Sequence, residues 1–272
     1  MEALGAGRLG ARFPITMTHS DAPPPIDPAT HAIFLDFDGT LAELVDDPDA
    51  VSLPEGTLEP LMALQRACKG ALAIVSGRKV SDLDRFLDPM KFAAAGVHGL
   101  ERRVQPGAET TRLMTEDELE PVRKALSSLV EENPRLHLED KGLALVVHYR
   151  TAPDLEEVAR SAVKHAVEDR DDLVVMDGDN IVEVHPAGMD KGRALAAMME
   201  EPPFKGRTPI YAGDDTTDEF ALEEVKRRGG ISVKVGSRNS AAEYRLADVE
   251  AVHRWIAETI GKTDKDEVNS NG

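Results

Sequence analysis

The sequence predicts an α/β protein in which a second, smaller domain interrupts a parallel sheet. Short apolar runs alternate with amphipathic stretches, as βαβ units do. The apolar runs lie at residues 32–35, 71–75, 92–97, 209–212 and 231–235. Between about residues 111 and 185 the pattern changes to strand pairs that each follow a helix, and the α/β pattern then resumes.

The first half of the parallel core is predicted from residues 30–110. The run Ala32–Leu35 is apolar without alternation, which indicates a strand buried on both faces. A helix follows Pro54, because Leu58, Leu61 and Leu64 repeat at helical spacing. Strands at 71–75 and 92–97 flank a helix from Val80 to about Leu87, and such parallel units have right-handed crossovers.

The inserted segment, residues 111–185, predicts an antiparallel αββαββ domain. A helix capped by Thr115 precedes strands at 136–139 and 143–149. A second helix near residues 155–166 precedes strands at 173–176 and 181–184, and Asp177–Asn180 between them favours a hairpin turn.

The parallel core continues through residues 186–262. It is predicted to contain a helix at 189–199, strands at 209–212 and 231–235, a helix at 220–227 and a closing helical region at 244–260. The polar ends, residues 1–29 and 263–272, are expected to be disordered tails, the first of them rich in proline.

Composition limits the possible partners. The formal net charge is −18, which argues against nucleic-acid or anionic-membrane binding, since both require a basic face. No apolar run approaches the roughly 20 residues that span a bilayer. The single Cys68 fits a reducing compartment. We therefore expect a cytoplasmic protein that binds neither nucleic acid nor membrane. A monomeric state and a small-molecule substrate are further expectations, and composition does not determine them.

Charged and polar side chains recur where parallel strands end or where the helices beside them begin. Asp36 and Asp38 follow the first strand, Ser76 follows the second, and Lys191 begins a helix. Asp214, Asp215 and Asp218 follow the strand at 209–212. Taken singly, these residues could be a helix cap, a solvated lysine or a hydrated acidic loop. Open α/β sheets bind their ligands at this edge. The placement of all these residues along the same edge therefore indicates one site.

This group of residues suits phosphoryl transfer. The carboxylates of Asp36 and Asp214, with the Asp38 carbonyl, are hard oxygen ligands for Mg²⁺. Asp36 would attack phosphorus, and Asp38 would act as acid and then base. Ser76 and Lys191 would hold the phosphate oxygens. The side chains of Asp215 and Asp218 would orient Lys191 and the waters on the metal.

The segments DFDGTLA, VSGR, HPAGMDKG and GDDTTDE resemble the four motifs of haloacid dehalogenase (HAD) superfamily phosphatases. The inserted segment resembles that superfamily's C2-type cap on a Rossmann-like core. ALAIVSGR, AGVHGLERR, LEDKGLALVVHYR and VEVHPAGMDKGRAL resemble the trehalose-6-phosphate phosphatase family over about residues 30–260. This resemblance implies a Mg²⁺-dependent sugar phosphatase with an aspartyl-phosphate intermediate.

The resemblance also implies residues that bind the substrate. Glu139, Lys141 and Glu183 of the cap would contact the sugar hydroxyls. Without the resemblance, Glu139 and Lys141 would be interpreted as an exposed ion pair of a hairpin. The core residues implied near the substrate are Thr40, Gly77, Arg78, His98 and Gly99.

One position departs from the family pattern. His185 stands before Pro186, where the family often has a longer basic side chain, so we hypothesise that substrate binding depends on pH. Two other functions remain open. One is hydrolysis of another sugar phosphate, such as sucrose phosphate or a phosphosugar alcohol, and the other is sugar-phosphate binding without catalysis.

Overall fold

The fold consists of an eight-stranded core sheet and a separate four-stranded sheet. A computed structural model describes residues 22–45, 47, 50–112, 116–188 and 190–270, with the backbone alone for 262–270. The strands are β1 His31–Leu35, β2 Leu72–Val75, β3 Ala93–Gly96, β4 Glu101–Arg103, β5 Thr111–Arg112, β6 His137–Asp140, β7 Leu145–His148, β8 Leu173–Gly178, β9 Ile181–Pro186, β10 Thr208–Gly213, β11 Ile231–Val235 and β12 Tyr244–Leu246. The helices are α1 Leu58–Ala67, α2 Val80–Phe86, α3 Glu120–Glu132, α4 Glu156–Ala166, α5 Lys191–Met198, α6 Glu219–Arg227 and α7 Val249–Ser270.

The core sheet has the strand order β12-β11-β10-β1-β2-β3-β4-β5. All pairs from β12 to β3 are parallel, and β4 and β5 add antiparallel strands at one edge. The central strand β1 is buried on both faces, as its uninterrupted apolar sequence predicts. Phe34 of β1 stacks on Phe204, with ring centroids 5.0 Å apart. The predicted parallel α/β core is therefore confirmed.

The second sheet, in the order β6-β7-β9-β8, is antiparallel throughout. One face packs on α3 and α4, and side chains such as Leu126, Val163 and Val182 form a second apolar core there. The opposite face carries Glu139, Glu183 and His185, which alternate with those apolar residues along the strands. Glu183 meets His98 of the core, so this face is turned toward the carboxyl edge of the core sheet.

The structure corrects the boundary of the inserted segment. Thr111 and Arg112 were predicted to open the insertion, but they form β5 and pair with β4 in the core sheet. Arg112 donates to the buried Glu101, and this ion pair fixes the edge strand. Strands of two or three polar or charged residues show no periodicity, so the sequence pattern did not reveal them. The proposed cap of the next helix, Thr115, lies outside the described residues.

The predicted tails also differ from the structure. Residues 1–21 and 271–272 lie outside the described residues. Residues 22–29 pack on the core, because Ile26 is buried and Trp255 Nε1 donates to the Pro24 carbonyl at 3.0 Å. The predicted closing region divides into β12 and α7, and α7 continues to Ser270. No proline interrupts residues 249–270, so nothing in the backbone stops that helix early.

Within the described part of the chain, no helix has the length and hydropathy to cross a bilayer.

Candidate active site

The site lies at the carboxyl edge of the core sheet. Asp36 directly follows β1, Ser76 follows β2, and Asp214 follows β10, which pairs with β1 in parallel register. Lys191 is the first residue of α5, whose N-terminus is capped by the Asp190 carboxylate accepting from Arg193 N at 2.8 Å. The fold thus brings together residues that are far apart in the sequence.

Three carboxylates and one lysine form the centre of the site. One oxygen each from Asp36, Asp214 and Asp218 lies within 4.8 Å of the others. Lys191 Nζ donates to Asp36 Oδ1 at 2.7 Å and to Asp218 Oδ1 at 2.6 Å. Apart from Asp214, which is partly exposed, these side chains are buried. We call these four residues the acidic cluster.

The acidic cluster is short of positive charge. Burial, then the charge of Asp218, raises the pKa of Asp36 well above its ordinary value, and Lys191 opposes this only in part. Burial and the charges of Asp218 and Asp215 raise the pKa of Asp214 to about 6. Lys191 stays protonated, since Asp218 and Asp36 raise its pKa despite the opposing effect of burial. A divalent cation would supply the missing charge.

Asp218 accepts three hydrogen bonds from the protein itself. Besides Lys191, it accepts from Tyr211 OH at 2.6 Å and from Asp215 N at 2.8 Å. By contrast, no described residue donates a hydrogen bond to the Asp214 carboxylate. Asp218 is therefore suited to orienting Lys191, whereas Asp214 has free oxygens for a ligand.

Asp215 is joined to Asp218 by a capping box, in which each side chain accepts from the backbone of the other residue. The Oδ1 atom of Asp215 also accepts from Arg238 at 3.1 Å, while its backbone N–H donates to Asp218 Oδ2 at 2.8 Å. The role of Asp215 in orienting Lys191 and the waters on a metal stays a prediction. Tyr211 was missed because it was interpreted as one more apolar residue of a buried strand. Its position three residues before Asp214 was the available sign, since a buried tyrosine hydroxyl needs a partner.

Asp38 lies beside the acidic cluster and is paired with Arg78. The guanidinium donates from Nε to Asp38 Oδ2 and from an η nitrogen to Oδ1, each at 2.7 Å. Arg78 also lies over the Phe86 ring, with its Cζ 5.0 Å from the centroid. This bidentate contact fixes the Asp38 carboxylate in one orientation.

The loops after β1 and β2 pack closely around these groups. Gly39 has a φ of +72°, and a Cβ there would lie 2.4 Å from the Asp214 carboxylate. Thr40 Oγ1 lies at a long 3.5 Å from Asp36 Oδ2, and Ser76 Oγ accepts from Arg78 N at 3.1 Å. A Cβ at Gly77 would lie 3.0 Å from the His98 ring. Both glycines therefore allow a close approach.

The cap residues implied by the resemblance meet the core at His98. Glu183 Oε1 lies 3.5 Å from His98 Nε2 and is buried without a well-aligned hydrogen bond. Burial favours the neutral form of Glu183, but Lys141 and His98 outweigh it and lower the pKa of Glu183. Glu139 pairs with His148 at 2.9 Å. The geometry thus brings Glu139, Lys141 and Glu183 together above His98, next to Gly99.

His185 is neutral at physiological pH. It is buried at the end of β9, where burial, opposed by Glu183, lowers its pKa. Its Nδ1–H donates to the Pro186 carbonyl at 3.0 Å, and Nε2 faces Met176 Sδ at 3.2 Å. A neutral imidazole with these partners does not supply a charge to a phosphate, so the pH hypothesis for substrate binding loses its basis at this residue.

The sequence also matches proteins of known function. The model of the trehalose-phosphatase family matches residues 34–250. A trehalose-6-phosphate phosphatase of Escherichia coli K12 is 40% identical over 84% of this chain and 86% of its own length. A probable trehalose-phosphate phosphatase of Sinorhizobium fredii is 38% identical over 83% of this chain and 86% of its own length.

Solved structures agree with the fold. A trehalose-6-phosphate phosphatase related protein superposes with a TM-score of 0.74 at 25% identity, covering 86% of this chain and 99% of its own. A haloacid dehalogenase-like hydrolase from B. subtilis, at 13% identity, shares the fold with a TM-score of 0.61 and covers 85% of this chain and 99% of its own. With an acidic cluster at the carboxyl edge of the parallel core sheet and a family match over most of its length, the chain belongs to the trehalose-phosphatase family.

Proposed function

We propose that the protein hydrolyses trehalose 6-phosphate to trehalose and phosphate, with Mg²⁺, through an aspartyl-phosphate on Asp36. The observation that carries this proposal is the acidic cluster, in which Lys191 holds Asp36 beside two further carboxylates. The substrate assignment rests on family membership and on the polar cap face opposite His98.

The donor set of the acidic cluster fits Mg²⁺. All of its ligand atoms are oxygens, and the raised pKa values of Asp36 and Asp214 show that the cluster lacks positive charge. Gly39 leaves the space beside Asp214 free of a side chain. Asp36, Asp214 and the Asp38 carbonyl would hold the ion. When bound, it would screen the phosphate's charge from the nucleophile and polarise a phosphate oxygen.

In the first half-reaction, a carboxylate oxygen of Asp36 bonds to phosphorus as the bond to the sugar oxygen breaks. Lys191, fixed by Asp218, holds Asp36 in place and balances the transferring charge. Asp38 gives its proton to the leaving oxygen. Ser76, Thr40 and Gly77 line the loops that would hold the phosphate oxygens.

In the second half-reaction, water attacks the phosphorus of the aspartyl-phosphate, and Asp38 takes a proton from that water. The bond between Asp36 and phosphorus breaks, which restores both aspartates. Arg78 orients the ionised Asp38 carboxylate that takes the proton from water, since it donates to both oxygens.

We propose that residues 116–185 act as the cap of a core formed by 30–112 and 186–262. Glu139, Lys141 and Glu183 would bind the sugar hydroxyls, while His98, Gly99 and Arg78 would line the core side. The buried Glu183 oxygen without an aligned donor supports this, because a sugar hydroxyl could satisfy it. An analogue that lacked this hydroxyl would leave the oxygen unpaired. We also propose that the protein is a cytoplasmic monomer.

The test is phosphate release from trehalose 6-phosphate, glucose 6-phosphate and sucrose 6-phosphate, with Mg²⁺ and with EDTA. We expect turnover of the first substrate with Mg²⁺ and none with EDTA. Asp36→Asn should bind the substrate without turnover, whereas Asp171→Asn, which changes an exposed aspartate, should retain wild-type rates.

The cap is tested by a second pair of variants. Glu183→Gln should raise KM for trehalose 6-phosphate more than it lowers kcat, and Glu131→Gln on the exposed side of α3 should change neither. Preferred turnover of another phosphosugar would overturn the substrate assignment. Binding without any phosphate release by the Mg²⁺-loaded protein would favour a non-catalytic function.

A further inference from the structure

Lys234 is a buried lysine that the proposed chemistry does not use. It lies in β11, next to Gly213 of β10 in the parallel register, and its side chain is 1% exposed. Gly213 is the residue before Asp214, so Lys234 lies directly beside the loop 213–219. Burying a lysine is costly unless its charge is paired, so this position calls for a physical reason.

The contacts of Lys234 tie three segments together. Its Nζ donates to the Asp215 carbonyl at 3.0 Å and to Glu219 Oε1 at 3.2 Å. The other oxygen of Glu219, Oε2, accepts from Ser240 Oγ and from Ala241 N, each at 3.0 Å. One ion pair therefore joins β11, the loop 213–219 and the segment 240–241.

The same loop carries two members of the acidic cluster. Asp214 precedes the carbonyl that Lys234 holds, and Asp218 precedes Glu219. The Asp214 carboxylate accepts no hydrogen bond from a described residue, so its direction is set by its backbone. Because the carboxylates of the cluster repel one another, the loop must be held from behind to keep them close.

We infer that Lys234 is a positioning residue for the cation site: by gripping the Asp215 carbonyl and the Glu219 carboxylate, it fixes the backbone that aims Asp214. This inference rests on the Mg²⁺ site of the proposed function.

If the ion pair of Lys234 and Glu219 had only a structural role, a different result would be expected. Loss of such a pair would lower the melting temperature but leave the affinity of the folded protein for Mg²⁺ unchanged. If Lys234 positions Asp214, its loss weakens Mg²⁺ binding even in the folded protein. The two roles therefore separate in a binding measurement.

The experiment measures the Kd for Mg²⁺ by isothermal titration calorimetry on the full chain, without substrate. In Lys234→Met we expect the Kd to rise roughly 10- to 100-fold, the usual effect of losing a group that supports a metal ligand. Phosphate release should need correspondingly more Mg²⁺ and recover at saturation. Lys226→Met, which removes an exposed lysine of α6, should bind Mg²⁺ as the wild type does.

Two further variants keep the test decisive. Glu219→Gln removes the partner charge and should raise the Kd in the same direction, even if Lys234→Met does not fold. The double variant Lys234→Met/Glu219→Gln has no unpaired charge, so it should regain stability without regaining Mg²⁺ affinity. If folded Lys234→Met or Glu219→Gln bound Mg²⁺ with the Kd of the wild type, the inference about Lys234 would be overturned, while the proposed function would stand. If the wild type itself bound no Mg²⁺, the cation site would fall and the inference with it.

Discussion

Asp214→Asn is expected to stabilise the metal-free protein while removing its response to Mg²⁺. The fold raises the pKa of Asp214 from its ordinary 3.8 to about 6, so the folded protein disfavours the ionised carboxylate. Asparagine has nearly the same shape and no charge. The substitution should therefore remove a cost to the metal-free fold together with a ligand of the proposed cation.

The size of the effect follows from the pKa difference of about 2. At about 1.4 kcal/mol for each pKa unit, this corresponds to about 3 kcal/mol for a fully buried group. Asp214 is partly exposed and solvent screens its charge, so we expect about 1–2 kcal/mol. The gain should be complete above pH 6 and fade as pH falls toward 3.8, because the folded wild type then takes up a proton before the unfolded chain does.

Urea unfolding in EDTA measures this at about pH 8 and about pH 5. Asp214→Asn should have the higher free energy of unfolding near pH 8, and the difference should shrink near pH 5. Added Mg²⁺ should stabilise the wild type and not the variant. Asp171→Asn, an exposed aspartate elsewhere, should change neither quantity. A metal-free Asp214→Asn that is less stable than the wild type near pH 8 would refute this reasoning.

Three other outcomes are expected. Gly39→Ala should weaken Mg²⁺ binding, because its φ is +72° and the new Cβ would lie 2.4 Å from the Asp214 carboxylate; an unchanged Kd in calorimetry would contradict this. Tyr211→Phe removes the hydrogen bond to Asp218 and should cost about 1–2 kcal/mol in urea unfolding, so a variant of wild-type stability would disprove that contact's importance. His185→Gln should make the protein less sensitive to acid as the pH falls below about 6.5. The fold lowers the pKa of His185, so acid protonates the unfolded chain more readily than the folded one, and an equally steep loss of stability in the variant would show that His185 does not contribute.

The placement of the acidic cluster could be predicted because strand ends obey a simple rule. Asp36 and Lys191 are 155 residues apart, yet each follows from its position at the carboxyl edge of one parallel sheet. Thr111 and Arg112 could not be placed in the same way. Their pairing depends on Glu101, a partner that a periodic pattern does not identify. A short polar strand is defined by its neighbours rather than by its own sequence.

The supporting residues were missed for a related reason. Lys234 and Tyr211 lie in strands whose other residues are apolar, and a strand pattern treats such positions as core. Only the structure shows that the polar end of each side chain reaches the loop 213–219 or Asp218. A polar residue inside an otherwise apolar strand beside an acidic loop is therefore worth considering as a support of that loop.

The acidic cluster illustrates why such supports are needed. Burial and the charge of Asp218 raise the pKa of both Asp36 and Asp214, so the metal-free fold would gain stability by moving the carboxylates apart or by protonating them. Two lysines oppose this movement. Lys191 donates to both Asp36 and Asp218, and Lys234 donates to the backbone carbonyl that follows Asp214. These lysine contacts keep the carboxylate oxygens close enough to share one cation, at a cost in stability that cation binding would offset. A variant that removes one of these lysine contacts should therefore lose Mg²⁺ affinity more readily than it loses the fold.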